Sequence, residues 1–182
     1  LYAVVGIPGS GKSTLVKAIL KRSSSIGMLP MDGYHLRKSQ LSSDQLARRG
    51  AIDTFNDQRL KQDLNRLRRD RQGSFPDFDH AVGDPVENAI TLTPAHRLVL
   101  IEGLYLLMRQ WNLESFFDGS IFIDCDLEVA MARVAKRHLQ SGLVTSLEEG
   151  FQRAQRNDRL NAERILEDGC KSRASLVIRC EA

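Results

Sequence analysis

Cysteine is scarce in this chain of 182 residues: there are three, Cys125, Cys170 and Cys180, odd in number and scattered. They lack metal-ligand spacing, which suits a reducing compartment, and a chain of this composition is not a disulfide miniprotein. Proline is sparse too, with five residues. Charge of neither sign dominates: 26 basic against 23 acidic side chains leave +3, too weak a balance to argue for nucleic acid. No apolar run approaches the roughly 18 residues of a membrane span. No basic-then-apolar leader opens the sequence, so the expected setting is the cytoplasm, without membrane or nucleic acid as a partner. The chain starts without Met, inside an apolar run, and stops just after another, the pattern expected of trimmed ends.

What is present is ordinary for a globular domain, with 42% hydrophobic and 27% charged residues. Folding at this length buries about 70% of the unfolded surface, enough for one core, and residues 1–182 are expected to form a single domain. The basic set is skewed, with 19 Arg to 7 Lys. Arginine's planar fork matches phosphate oxygens two at a time, which directs attention to phosphate. Most of these arginines also suit solvated helix faces.

Apolar runs alternate with helical stretches. Residues 1–5, 26–31, 97–101, 120–124 and 176–180 read as strands. Residues 12–22, 43–49, 57–71, 126–139 and 147–166 read as helices, with Asp126 as an N-cap. Near-continuous apolar strands between helices imply a parallel sheet covered on both faces. Residues 73–94 hold three of the five prolines and read as an inserted loop or hairpin. The stretch from Thr14 to Met31 is short for a helix and a returning strand, so the reading there allows for a gap near residues 23–25.

Residues 6–13, GIPGSGKS, fit G-x-x-x-x-G-K-[ST] between an apolar strand and a helix. From the chain's own composition, a chance match is about 0.4% over the whole sequence, so the motif outweighs a plain glycine turn. Gly6, Gly9 and Gly11 let the backbone wrap and aim amides inward, with Pro8 and Ser10 between them. The helix beginning near Lys12 adds free amides and the positive end of its dipole. Lys12 can reach the β- and γ-phosphates of ATP, Ser13 can ligate Mg²⁺, and Thr14 extends the cradle.

Other groups qualify by position. Glu102 ends the strand RLVLI, at the edge where a parallel sheet meets its ligand, and can hold magnesium's water shell; a turn acid is the plainer alternative. Asp32 follows LPM and precedes Gly33, where a carboxylate can accept an alcohol's proton; an Asp-Gly turn explains it as well. Arg133 and Arg137, four apart, share a helix face and fit either a closing lid or a solvated basic face.

With these pieces in order the chain resembles the P-loop kinases of the uridine kinase, pantothenate kinase and phosphoribulokinase group. The resemblance runs through GIPGSGKST, PMDGYHL, ARRGAIDTFN, FPDFDHAVGDP, IEGLYLL and RVAKRHLQSGLVT. EGLYLL and AKRHLQSGLVT are most similar to a fungal branch of ATP-dependent kinases. Asn56 stands where the group usually has Asp and is given no role. The resemblance implies an α/β P-loop fold with five parallel strands in the order 2-3-1-4-5. It also implies a lid over about 133–148 and an acceptor-side insertion over about 34–94. Asp32 is then the base, Ser13 and Glu102 serve Mg²⁺, and Arg133 and Arg137 are lid cations. Tyr34, His35, Asp79 and His80 approach the acceptor, a nucleoside- or pantothenate-like hydroxyl compound whose identity stays open; read without the resemblance, His35 and His80 are hydrogen-bonded structural residues, and for His35 both readings stand. Asn157, Asp158 and Asn161 have surface capping as their default role. A nucleotide switch or motor ATPase, and a binding scaffold without turnover, are the rival readings. The first should show Asn-Lys-x-Asp, Asp-x-x-Gly or a strand ending Asp-Glu, and no such set is found.

Overall fold

A computed structural model describes residues 1–180. Strand β1 (Tyr2–Gly6) is apolar on both faces and takes the centre of a five-stranded parallel sheet. Helix α1 (Lys12–Leu20) leads back to β2 (Ile26–Pro30). The short connection is closed by a serine turn, in which the Ser25 amide donates to Ser23 Oγ and the Ile26 amide to the Ser23 carbonyl.

The insertion follows: α2 (Ser43–Ala47), α3 (Asp57–Asp70), β3 (Gly73–Asp79) and β4 (Asp84–Leu92). α2 carries a capping box between Ser42 and Gln45. Asn56 is the N-cap of α3, its Oδ1 accepting from the Arg59 amide. β3 and β4 form an antiparallel hairpin whose register shifts between Phe75 and Asp77. Pro76, which has no amide to give the ladder, stands at that shift.

The chain then completes the sheet with β5 (Leu98–Gly103), β6 (Gly119–Asp124) and β7 (Leu176–Arg179). Between β6 and β7 lie α4 (Leu127–Gln140), α5 (Leu147–Arg153), α6 (Arg159–Glu167) and α7 (Cys170–Arg173). Asp126 caps α4, accepting from the amides of Glu128 and Val129. The order β2-β5-β1-β6-β7 is 2-3-1-4-5 counted over the sheet's own strands. The expected helix over 147–166 is interrupted by a single π turn at Ala154–Asp158.

Period-two alternation sorts the core. Ala3 and Val5 face a large cluster that includes Leu60, Leu64, Tyr105, Trp111, Phe122 and Val134. Val4 faces a smaller one with Val16, Leu100 and Ile123, beneath α1. Each fully buried Val, Leu or Phe contributes on the order of 1.5–3 kcal/mol, so both faces of the sheet are fixed by packing. No helix among the described residues is long and apolar enough to cross a membrane.

Candidate active site

The parallel register brings the chemistry together. Glu102 of β5 lies opposite Pro30 of β2 on one side and Val4 of β1 on the other. Asp32 comes two residues after Pro30, and the glycine-rich turn leaves β1 two residues after Val4. Three groups read separately in the sequence therefore meet at one sheet edge, where strands end and ligands bind in open α/β sheets.

The turn itself is tightly held. Ser10 donates its amide to the Ile7 carbonyl (3.1 Å), and Lys12 Nζ donates to the same oxygen (3.0 Å). Pro8 is buried, while Ser13 and Thr14 are exposed on the first turn of α1. Gly9 has φ +79°, and a Cβ there would run into the Ala130 carbonyl of α4. Gly11 has φ +96°, heads α1, and has open space where a Cβ would stand. No side chain caps the first turn of α1. Ser10 Oγ is buried without a partner. An unsatisfied buried hydroxyl beside an uncapped helix start fits the phosphates of a nucleotide, whose oxygens would satisfy both.

Lys12 is almost fully buried, and burial pulls its ammonium down to about 8. Glu102 and Asp32 oppose that shift and Arg137 adds to it, so all three bear on the same ammonium. Burial also raises the Glu102 carboxyl above the usual range, against the pull of Lys12. Ser13 Oγ donates to Glu102 Oε1 (3.0 Å). These two hard oxygens, adjacent and at the loop, form a donor set that suits Mg²⁺.

Asp32 lies exposed on a 3-10 turn (Met31–Tyr34). Its backbone carbonyl is 2.9 Å from His35 Nδ1. The His35 ring packs on Phe55 and Phe78 (centroids 3.9 and 4.8 Å), and Phe78 packs on His80 (5.2 Å). Burial lowers the His35 pKa, favouring the neutral ring. These rings pack together beside the turn that carries Asp32.

Two residues expected to approach the acceptor make contacts within the protein. Tyr34 is turned into the core, 1% exposed, with its hydroxyl donating to Asp63 Oδ2 (3.0 Å). The 3-10 turn sends the apolar ring inward, so its side chain is withdrawn from the crevice. Asp79 closes the β3–β4 turn, its Oδ1 accepting from the amides of Ala81 and Val82.

The two lid arginines diverge. Arg137 is exposed near the end of α4 and bears on Lys12. Arg133, one turn earlier, directs Nη1 to Cys180 Sγ (2.9 Å) and Cys125 Sγ (3.7 Å), at the β6–β7 edge of the sheet.

Residues with no assigned role turn out to brace the site. Arg49 reaches from the end of α2 to the carbonyls of Leu36 and Gly83 and to Asp84 Oδ1, and lies over the Phe78 ring (5.3 Å). It ties the Asp32 turn to the hairpin tip. Asn157 Nδ2 donates to the Arg49 carbonyl (3.0 Å), while Asn161 Nδ2 (3.3 Å) and Tyr105 OH (2.7 Å) converge on the Gly50 carbonyl. Asp158 Oδ2 is 3.0 Å from His138 Nε2 of α4. The polar cluster is thus not surface capping but a clamp joining α4, the π turn and the acceptor-side loop. Spacing alone gave no sign of it, because the π turn resets which residues share a face.

Comparison with known proteins agrees with this fold. The family described as Phosphoribulokinase / Uridine kinase matches residues 1–142. A Schizosaccharomyces pombe protein provisionally named uridine kinase C227.14 is 39% identical over 178 residues, covering 88% of this chain and 75% of the relative. The ATP-dependent kinase-like protein notR' of Aspergillus versicolor is 35% identical over 151 residues, covering 76% and 88%. Among solved structures, a Silicibacter protein provisionally named a fructose transport system kinase superposes with TM-score 0.86 at 31% identity, covering 97% of this chain and 88% of that one. With a P-loop, a sheet-edge glutamate and the 2-3-1-4-5 sheet in place, the chain belongs to the phosphoribulokinase and uridine kinase family.

Proposed function

We propose that this protein is a magnesium-dependent kinase that moves the γ-phosphoryl group of ATP to a hydroxyl of a small metabolite. The observation that carries the reading is the convergence of Lys12, Ser13, Glu102 and Asp32 at one sheet edge. The triphosphate lies along residues 6–14, where uncapped amides and Lys12 neutralise it. Ser13 and Glu102 would hold Mg²⁺, which when bound neutralises charge on the β- and γ-oxygens. The acceptor enters between Asp32 and the His35–Phe78–His80 wall. Its oxygen attacks phosphorus in line and its proton passes to Asp32. The bond from phosphorus to the bridging oxygen breaks, with the electron pair leaving on ADP. Little covalent help is needed, so orientation and charge supply most of the rate. Arg137 is the cation that approaches the transferring group from α4. Closure over the crevice excludes the water that would otherwise hydrolyse ATP.

The acceptor is named differently among the relatives, so it is sought directly. A screen of hydroxyl-bearing metabolites with Mg-ATP, read as ADP release and thermal shift, should yield an acceptor that accelerates ADP formation. Slow hydrolysis indifferent to every metabolite would instead fit an ATPase, and no turnover at all a scaffold.

A further inference from the structure

The three cysteines of the chain are not equivalent. Cys170 is fully buried, its Sγ 3.6 Å from Met108 Sδ and 3.6 Å from Asp168 Oδ1, and burial pushes its thiol up to about 12. A thiol enclosed in this way is inert. Cys125 and Cys180 are half-buried and lie together. β6 and β7 keep parallel register as far as Asp124 opposite Arg179, and the Cys180 amide donates to the Asp124 carbonyl (2.7 Å), so the ladder carries on. Cys125 and Cys180 are the next residue on each strand. Residues opposed across neighbouring strands lie about 4.8 Å apart, inside the roughly 4.4–6.8 Å between Cα atoms that a disulfide spans.

The side chains converge as well. Arg133 Nη1 of α4 donates to Cys180 Sγ (2.9 Å) and lies 3.7 Å from Cys125 Sγ, and the two thiols are in contact with each other. Burial, reinforced by Cys180, raises the Cys125 thiol above its ordinary value. A cation against a sulfur meets the negative charge that the sulfur carries as it attacks, which separates reactive cysteines from structural ones. The pair also stands at the sheet edge that carries the glycine-rich turn. Ile123, two residues before Cys125, pairs with Gly6, and Ala130, about one turn before Arg133 on α4, backs Gly9.

We infer that Cys125 and Cys180 form a redox-active dithiol, which a hydroperoxide converts to a disulfide within the chain. The Cys180 sulfur attacks the terminal oxygen of the peroxide. An S–O bond forms, the O–O bond breaks, and the leaving alkoxide takes the proton of the thiol, giving a sulfenic acid and an alcohol, or water when the oxidant is hydrogen peroxide. The Cys125 sulfur then attacks the Cys180 sulfur. The S–S bond forms, the S–O bond breaks, and hydroxide leaves as water with the Cys125 proton. The two thiols give up two electrons and one peroxide accepts them. The inference is independent of the kinase reading and stands even in a chain that transfers nothing.

The test treats the full, reduced chain with equimolar hydrogen peroxide under native conditions. Thiols titrated after denaturation should fall from three to one, the intact mass should drop by two hydrogen atoms, and peptide mapping should join Cys125 to Cys180. Dithiothreitol should restore all three thiols. In Cys125→Ala, dimedone should trap a sulfenic acid at Cys180. Arg133→Gln should slow disulfide formation by about tenfold or more, and Arg133→Lys, which keeps the charge, should recover part of the rate. The chain unfolded in guanidinium chloride should also react about tenfold more slowly or worse, which separates a built pair from ordinary thiols. A bond to Cys170, a bond between two chains, equal loss of all three thiols, or an undiminished rate in the unfolded chain overturns the inference. An unchanged rate in Arg133→Gln, or a slowing that Arg133→Lys does not relieve, overturns the part given to the guanidinium.

Discussion

The Ser13 hydroxyl donates to Glu102 Oε1 across 3.0 Å, linking the first turn of α1 to the end of β5. That bond joins the glycine-rich loop to the sheet edge and places side by side the two oxygens that would hold magnesium in the proposed reaction. Glu102→Gln keeps the shape and an acceptor oxygen for Ser13 but removes the charge. Magnesium-dependent turnover should fall by about 10² or more, and ATP binding without magnesium should change little. A magnesium titration of ADP release checks this; an unchanged metal dependence would remove Glu102 from the metal's surroundings.

Lys12 makes a prediction about protons. Burial holds its pKa near about 8, well below the ordinary lysine value. In the free protein it is charged below that pH and largely neutral above it. A triphosphate beside Nζ favours the charged form and raises the pKa again. ATP binding at pH 8.5 should therefore take up a substantial fraction of a proton through Lys12, and at pH 6.5 almost none. Magnesium-free calorimetry in buffers of different ionisation enthalpy measures the uptake. It should vanish in Lys12→Met, whose affinity also falls; equal uptake in both proteins would show that Lys12 does not meet the phosphates.

Tyr34 separates structure from catalysis. Its buried hydroxyl donates to Asp63, which also pairs with Arg66 at 3.1 Å. Tyr34→Phe should cost about 1 kcal/mol of stability by denaturant unfolding and leave acceptor-dependent ADP release unchanged. A large fall in kcat with unchanged stability would return Tyr34 to the acceptor site.

Much of this was legible in the sequence for a physical reason. Phosphate binding needs glycines, a lysine and a hydroxyl at fixed spacing, so GIPGSGKS announces itself. Parallel strands buried on both faces are continuous apolar runs, which gave the sheet, and the position of Glu102 at the end of one followed. The insertion was harder. Asp32-Gly33 reads as a turn, but which side chains a 3-10 turn sends inward depends on the core beneath it, and Tyr34 is buried. Arg133 and Arg137 share a helical face by spacing, yet the Arg133 guanidinium reaches Cys180 and Cys125 while the Arg137 charge bears on Lys12. Asn157 and Asn161 act on carbonyls more than a hundred residues away, contacts no local pattern encodes.

The most direct test of the account compares Asp32→Asn with the wild type in acceptor-dependent ADP release, alongside ATP-analogue affinity. The account predicts near-complete loss of transfer with nucleotide affinity within about threefold, because Asp32 acts on the acceptor's proton in the transition state. Undiminished turnover in Asp32→Asn would contradict it.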